Sequence, residues 1–134
     1  MDTCARHLLT SHGLRSLAPD HPDYKGHHAC GACGERSESK RSESSGDRRT
    51  RDAAYHQGTV WGWLIGPLVS AHLRVYHDPE LARSFLRPLI QEVDAHGVGS
   101  LSEILDGDPP FTPRGCIAQA WTVAEVLRVW RETA

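Results

Sequence analysis

The sequence has no surplus of either charge. Fifteen Lys and Arg face seventeen Asp and Glu among 134 residues, a formal charge of −2. That balance removes the general electrostatic reason to expect a nucleic acid or a polybasic membrane attachment. No apolar run approaches the roughly 20 residues that span a bilayer. The first fifteen residues, MDTCARHLLTSHGLR, lack the apolar stretch of a secretory signal. The expectation is a cytoplasmic chain with no nucleic acid and no membrane among its partners. Cysteine is sparse, with only Cys4, Cys30, Cys33 and Cys116. In a reducing cytosol these are thiols rather than a disulfide framework.

The widest absence is internal. Residues 26–51, GHHACGACGERSESKRSESSGDRRTR, contain no Leu, Ile, Val, Met, Phe, Tyr or Trp. Such a stretch has no apolar area to offset its ordering entropy, which predicts a mobile loop. A structureless loop of this length is unusual inside one compact domain, so it reads as a disordered insert at about 26–50. Arg48, Arg49 and Arg51 at its end read as solvated charges. Cys30-Gly31-Ala32-Cys33 beside His27 and His28 raises a small zinc-binding interaction module as an option. A structural site needs four ligands, and the second half-site is missing unless both histidines serve. The expectation is no metal and no cofactor.

The chain otherwise has an ordinary content of hydrophobic residues, 39%, and of charge, 24%. Its length suits one domain. Leu8-Leu9, Leu14 and Leu17 allow one short helix before the turns at Pro19 and Pro22. Val60, Leu64, Pro67, Leu68, Ala71 and Val75 recur at spacings of three and four, which predicts a helix from Tyr55 to about His77, kinked or broken at Gly66-Pro67. Asp78-Pro79-Glu80 is a helix start, and His96-Gly97 a stop. Residues 97–113 carry Gly97, Gly99, Gly107, Pro109, Pro110 and Pro113 and read as loop. A last helix is predicted from Thr112 or Pro113 to about Arg131. Its buried stripe would be Ile117, Ala120, Trp121, Ala124, Leu127 and Trp130. No strand signal competes, so the fold class is all-α.

Two segments carry more polar and aromatic detail than packing requires. Tyr55-His56-Gln57-Gly58-Thr59-Val60-Trp61-Gly62-Trp63 combines rings that stack on sugar C–H faces with groups that hydrogen-bond hydroxyls. The same residues also fit plain packing, with Trp61 and Trp63 as anchors and His56 as a cap. Gly99 to Pro110 holds three carboxylates, Glu103, Asp106 and Asp108, on a glycine- and proline-rich loop. One of them is a candidate general base; a solvated acidic loop is the alternative.

At these segments the sequence resembles the C-terminal catalytic region of glycogen debranching enzymes, the amylo-α-1,6-glucosidase family. GLRSLAPDHPDY at 13–24, RDAAYHQGTVWGWLIGPLVSAHL at 51–73 and HGVGSLSEILDGDPPFTPRGCIAQAWTVAEVLRVW at 96–130 carry the likeness. The resemblance implies an (α/α)6 toroid and an inverting glycoside hydrolase that removes single α-1,6-linked glucose units from branched glucans. It implies Glu103 as the general base that activates a water, with a partner acid about 6.5–9.5 Å away. It implies Tyr55, His56, Gln57 and Trp61 along the glucose site, with Asp106, Asp108, Arg114 and Gln119 shaping its mouth. The implied partner is a branched α-glucan such as glycogen or limit dextrin.

The family's general acid lies upstream of the matched motifs, and no residue of this chain takes that role by motif. Gly62 stands where these enzymes commonly have Pro. Twelve helices of about 12 residues with loops of about 5 need about 200 residues. The chain therefore reads as a single partial domain over 1–134, an arc of roughly the last two helical hairpins of the toroid. Such an arc exposes apolar faces and calls for another chain to complete the ring. The alternative is an inactive remnant with weak glucan contact through Trp61 and Trp63.

Overall fold

The computed structural model describes residues 1–28 and 52–134. The bulk of the 26–50 insert, with Cys30, Cys33, Arg48, Arg49 and Arg51, lies outside the described residues. Its first three residues do not behave as a free loop. Gly26 and His28 are buried, and the carbonyl of Gly26 accepts a bond of 2.6 Å from the Gly107 N–H.

Among the described residues the fold is mixed, not all-α. A five-stranded antiparallel sheet, ordered β1-β2-β3-β4-β5, stands beside five α-helices. Helix α1 covers Asp2–Leu8, and strands β1 and β2 cover Leu9–Thr10 and Gly13–Arg15. Strand β3 is Val60–Trp61, followed by a 3-10 turn over Gly62–Leu64 and helix α2 over Ile65–Tyr76. Helices α3 (Pro79–Ser84) and α4 (Arg87–Ala95) come next. Strands β4 (Ile104–Leu105) and β5 (Pro113–Arg114) precede the last helix, α5 (Ala120–Glu132). No helix among the described residues is long and apolar enough to cross a membrane.

The strands escape sequence reading because each is two or three residues long. Period-two alternation needs about four to become visible. Their pairing comes from turns and loops. Thr10 Oγ1 accepts from the His12 N–H and donates to the Gly13 carbonyl, closing the β1–β2 turn. Gly13 has φ +136°, and a Cβ there would lie 3.0 Å from the Trp61 carbonyl of the neighbouring strand. Leu14 pairs with Trp61, and Trp61 with Ile104. Residues 55–61, expected to be helical, instead form a turn and strand β3. Ile104–Leu105, expected to be loop, form β4.

Helix α2 begins at Ile65, so Pro67 falls in its first turn, where a missing N–H costs nothing. The proline marks a start rather than an interior kink. Asp78 caps α3 as its sequence implies, accepting from the Leu81 N–H at 2.9 Å. A turn at Phe85-Leu86 separates α3 from α4, and Pro88 sits in the first turn of α4. Helix α4 ends at Ala95, beside the expected stop. Helix α5 starts at Ala120, some seven residues later than expected, because 112–119 serve β5 and its return loop.

The core joins Leu14, Ile65, Leu68, Val69, Ala82, Leu86, Leu89, Leu101, Val126 and Val129. Helix α5 enters it with Thr122, Val126 and Val129. This reverses the expected burial of that helix. Ile117, Trp121 and Leu127 are 68%, 54% and 60% exposed. Trp130 is also partly exposed, with the Arg83 guanidinium 4.0 Å over its ring. The smaller residues win the inward face because α5 lies close against the 3-10 turn. A Cβ on Gly62 would come within 2.6 Å of Thr122 Cγ2. Indole rings do not fit that approach and turn outward.

Candidate active site

Glu103 sits just before β4, on the hairpin that β4 makes with β5. The backbone N–H of Glu103 donates to the Cys116 carbonyl at 2.9 Å, and that of Gln119 to the Leu101 carbonyl at 2.9 Å. These bonds extend the hairpin beyond its paired strands and fix where the carboxylate starts. Three donors then hold the carboxylate itself. The Tyr55 hydroxyl donates to Oε1 at 2.5 Å. Gln119 Nε2 donates to the same oxygen at 3.2 Å. The Cys116 N–H donates to Oε2 at 3.0 Å. Gly115, at φ +69°, makes the last bond possible, since a Cβ there would lie 2.5 Å from Oε2. Gln119 is itself oriented by the Thr122 hydroxyl, which donates to its Oε1 at 2.6 Å.

Aromatic rings pack around Tyr55. Trp61 meets it edge-on at 4.8 Å, as does His56 at 4.8 Å. His56 and Trp61 stack on each other at 5.2 Å with ring planes only 1° apart. Trp61 is pinned by its Nε1–H, which donates to the Tyr55 carbonyl at 3.2 Å. Burial raises the Tyr55 phenol above its ordinary value, and its hydrogen bond to the Glu103 carboxylate raises it further. Tyr55 therefore holds its proton on the bond to Glu103. Gln57 Oε1 is buried and has no hydrogen-bond partner among the described residues.

Of the residues singled out from sequence, Glu103, Tyr55, His56, Trp61 and Gln119 converge here. Asp106, Arg114 and Asp108 form a separate network. Asp106 is buried, and Arg114 binds both of its oxygens through Nε and Nη2, at 3.0–3.3 Å. The His28 N–H adds a bond of 2.9 Å to the same carboxylate. Asp108 accepts from the Tyr24 hydroxyl at 2.8 Å and lies 4.0 Å from Arg15. Burial and the Asp108 bond raise the Tyr24 phenol as well. These contacts clamp 24–28 against 106–108 and hold the loop that carries Glu103. Tyr24 and Arg15 lie in the 13–24 segment that carries the likeness but were not singled out, and the Cys116 N–H had no signal, because a backbone donor is silent in a list of side chains.

Chemically, a carboxylate with two donors on one oxygen and one on the other is fixed in direction. Oε2 retains a lone pair toward which a water can be held and deprotonated. Trp61 is only 9% exposed and lies behind His56, so the ring of the pair that faces outward, toward a partner with apolar C–H surface and hydroxyl edges, is that of His56.

No curated protein matches the chain. The sequence does match the family described as Amylo-alpha-1,6-glucosidase over residues 1–128, nearly its whole length. With Glu103, Tyr55, Trp61 and Gln119 drawn from the segments that carry that likeness, the chain belongs to the amylo-alpha-1,6-glucosidase family, a glycogen-debranching-related group of glycoside hydrolases.

Proposed function

We propose that this chain is the base-bearing arc of an inverting glucosidase that removes α-1,6-linked glucose from branched glucans in glycogen breakdown. The observation that carries this is the fixed carboxylate of Glu103, held by Tyr55, Gln119 and the Cys116 N–H beside the stacked rings of His56 and Trp61. Glu103 takes a proton from a water as that water attacks the anomeric carbon. Tyr55 and Gln119 keep the carboxylate aimed, and His56 meets the glucose ring, with Trp61 and Gln57 backing it from the buried side. Asp106, Asp108 and Arg114 hold the hairpin that carries Glu103 rather than the glucose itself. Asp106 and Asp108 are occupied by Arg114 and by Tyr24, so neither is assigned as the acid. The acid comes from another part of the helical toroid, on a partner chain or on further sequence.

The direct test has two arms. Calorimetry with 1-deoxynojirimycin, a glucose-sized iminosugar whose ammonium pairs with such a carboxylate, reads the site without turnover. Glu103→Gln should weaken it about 10- to 100-fold, the worth of a charge-assisted hydrogen bond. In an assembly that releases glucose from limit dextrin, the same substitution should lower the rate at least about 10²-fold. Undiminished release would remove Glu103 from the base role. Glucan binding without turnover in the completed assembly would support the remnant reading instead.

A further inference from the structure

The carboxylate of Glu103 accepts from Gln119 Nε2, and the other end of that amide leads one step further into the core. Gln119 immediately precedes α5, where a side-chain oxygen ordinarily caps the free N–H groups of the first turn. Its side chain makes no such bond. Its Oε1 accepts instead from the hydroxyl of Thr122, at 2.6 Å. A helical threonine commonly returns its hydroxyl to a backbone carbonyl three or four residues back. Thr122 directs its hydroxyl to a side chain, and does so from full burial, at 0% exposed. Packing sets that direction. A Cβ on Gly62 would lie within 2.6 Å of Thr122 Cγ2, so the methyl is seated against that glycine and holds the branched side chain in one rotamer.

We infer that Thr122 is a positioning residue for Glu103, acting through Gln119. The inference rests on the reading of Glu103 as the base of a glucose site. The terminal torsion of a glutamine is broad, so one hydrogen bond to Glu103 leaves the amide plane free to swing. An amide has a donating end and an accepting end, and a carboxylate takes only the donating one. The Thr122 hydroxyl pins the accepting end, and the amide is then fixed at both. The two bonds run in one direction, hydroxyl to amide to carboxylate, so each donor polarises the next. Glu103 Oε1 thereby receives two directed donors, from Gln119 and from Tyr55. Oε2 stays turned toward the Cys116 N–H and the water it is to activate. A buried hydroxyl at the contact between α5 and the 3-10 turn thus sets the aim of a carboxylate that it does not touch.

The experiment separates the hydroxyl of Thr122 from its shape, on the full 134-residue chain. Thr122→Val keeps the branched shape against Gly62 and removes the donor. Thr122→Ser keeps the donor and removes the methyl. Each variant is read twice, by the NMR resonances of the Gln119 side-chain amide and by calorimetry with 1-deoxynojirimycin. In Thr122→Val the amide protons should exchange with water faster and move toward the shifts of a free glutamine. Iminosugar affinity should fall about 3- to 10-fold, the worth of one neutral hydrogen bond. Thr122→Ser should keep the amide signature and most of the affinity. With Gln119→Met in place, Thr122→Val should lower the affinity no further. The opposite order, with Thr122→Ser impaired and Thr122→Val like the parent, assigns Thr122 to packing alone and overturns the inference. An unchanged Gln119 amide in Thr122→Val overturns it too, as does a full loss from Thr122→Val in the Gln119→Met chain. An amide that responds as expected in a parent chain that binds no iminosugar supports the hold of Thr122 on Gln119 and overturns the glucose-site reading instead.

Discussion

The hairpin around Glu103 and the outer face of α5 are both rich in large side chains, yet they are finished differently. At the hairpin, ring edges, hydroxyls and carboxylates meet partners within the chain: Tyr55 with Glu103, Tyr24 with Asp108, Arg114 with Asp106. On α5 the polar side chains close on themselves, with Arg128 bridging Glu125 and Glu132 and reaching Ser70 of α2. The large apolar ones, Trp121 and Leu127 above all, face outward. A site that must hold a carboxylate to within a few tenths of an ångström needs its supports in the same fold. A helix face that packs on further helices has no such need. The difference teaches that the Glu103 hairpin is held by partners within this chain, whereas the outer face of α5 is not.

The strongest way to break the first half of that comparison is to cut the clamp behind the hairpin. Asp106 is almost fully buried, with its side chain 3% exposed, while that of Arg114 keeps 23%. Asp106→Ala takes away the bidentate partner of Arg114 and the acceptor of the His28 N–H. Removing one member of a buried pair costs about 3–5 kcal/mol, and the partial exposure of Arg114 puts this case near about 3. Urea unfolding should show the loss. Iminosugar binding should weaken too, because Glu103 lies three residues away on the same loop. A loss below about 1 kcal/mol would mean the clamp does not support the hairpin.

The contact between the two regions runs through Gly62. Gly62→Ala forces a methyl to within 2.6 Å of Thr122 Cγ2, an overpacking expected to cost about 1–3 kcal/mol. Thr122→Ser deletes that methyl but keeps the hydroxyl that orients Gln119. The double variant should recover most of the loss, measured by the same unfolding midpoints. If it recovers nothing, the approach of the 3-10 turn to α5 is not what fixes their spacing.

How much of this was legible in the sequence depends on what each residue had to do. Glu103, Tyr55 and Trp61 drew notice by chemical type and, with Gln119, by the resemblance of their segments to a known family; the fold brings the four side chains together. Asp78 was found because a cap acts within its own turn. The sheet was not, because strands of two residues are made by pairing with distant chain, which no local period records. The α5 stripe was assigned the wrong side, and its first member, Ile117, precedes the helix. Amphipathic spacing identifies a face, and only the partner decides whether it is buried. Gly62 against Thr122 decided it here, in favour of the smaller residues.

The Tyr55 bond to Glu103 makes a pH prediction. Its phenol, ordinarily near 10, is raised in the folded chain, by burial first and by the Glu103 carboxylate second. The folded state thus holds a proton that the unfolded state releases above pH 10. Stability from this group is complete below pH 10 and is lost as pH rises beyond it. Tyr24 acts in the same direction. Tyr55→Phe should therefore flatten the alkaline fall in urea midpoint while leaving its slope near neutrality unchanged. An equally steep alkaline fall in Tyr55→Phe would show that the Tyr55 phenol is not raised in the folded chain.

The smallest expected effect on stability sharpens the second half of the comparison. Leu127 is 60% exposed on the outer face of α5 and borders the groove formed with Ile90, Val93, Val126 and Trp130. If that face is an edge and not part of this chain's core, Leu127→Lys changes folding stability by no more than about 0.5 kcal/mol. A core leucine such as Leu86, which is fully buried, would lose several times that on truncation. The same Leu127→Lys chain should show less self-association at high concentration in sedimentation velocity, because a charge now sits on the apolar surface available for contact. It should leave iminosugar affinity unchanged, since Leu127 takes no part in holding Glu103. A stability loss of 2 kcal/mol or more, on the order of a core truncation, would mean that the outer face is held by this chain after all.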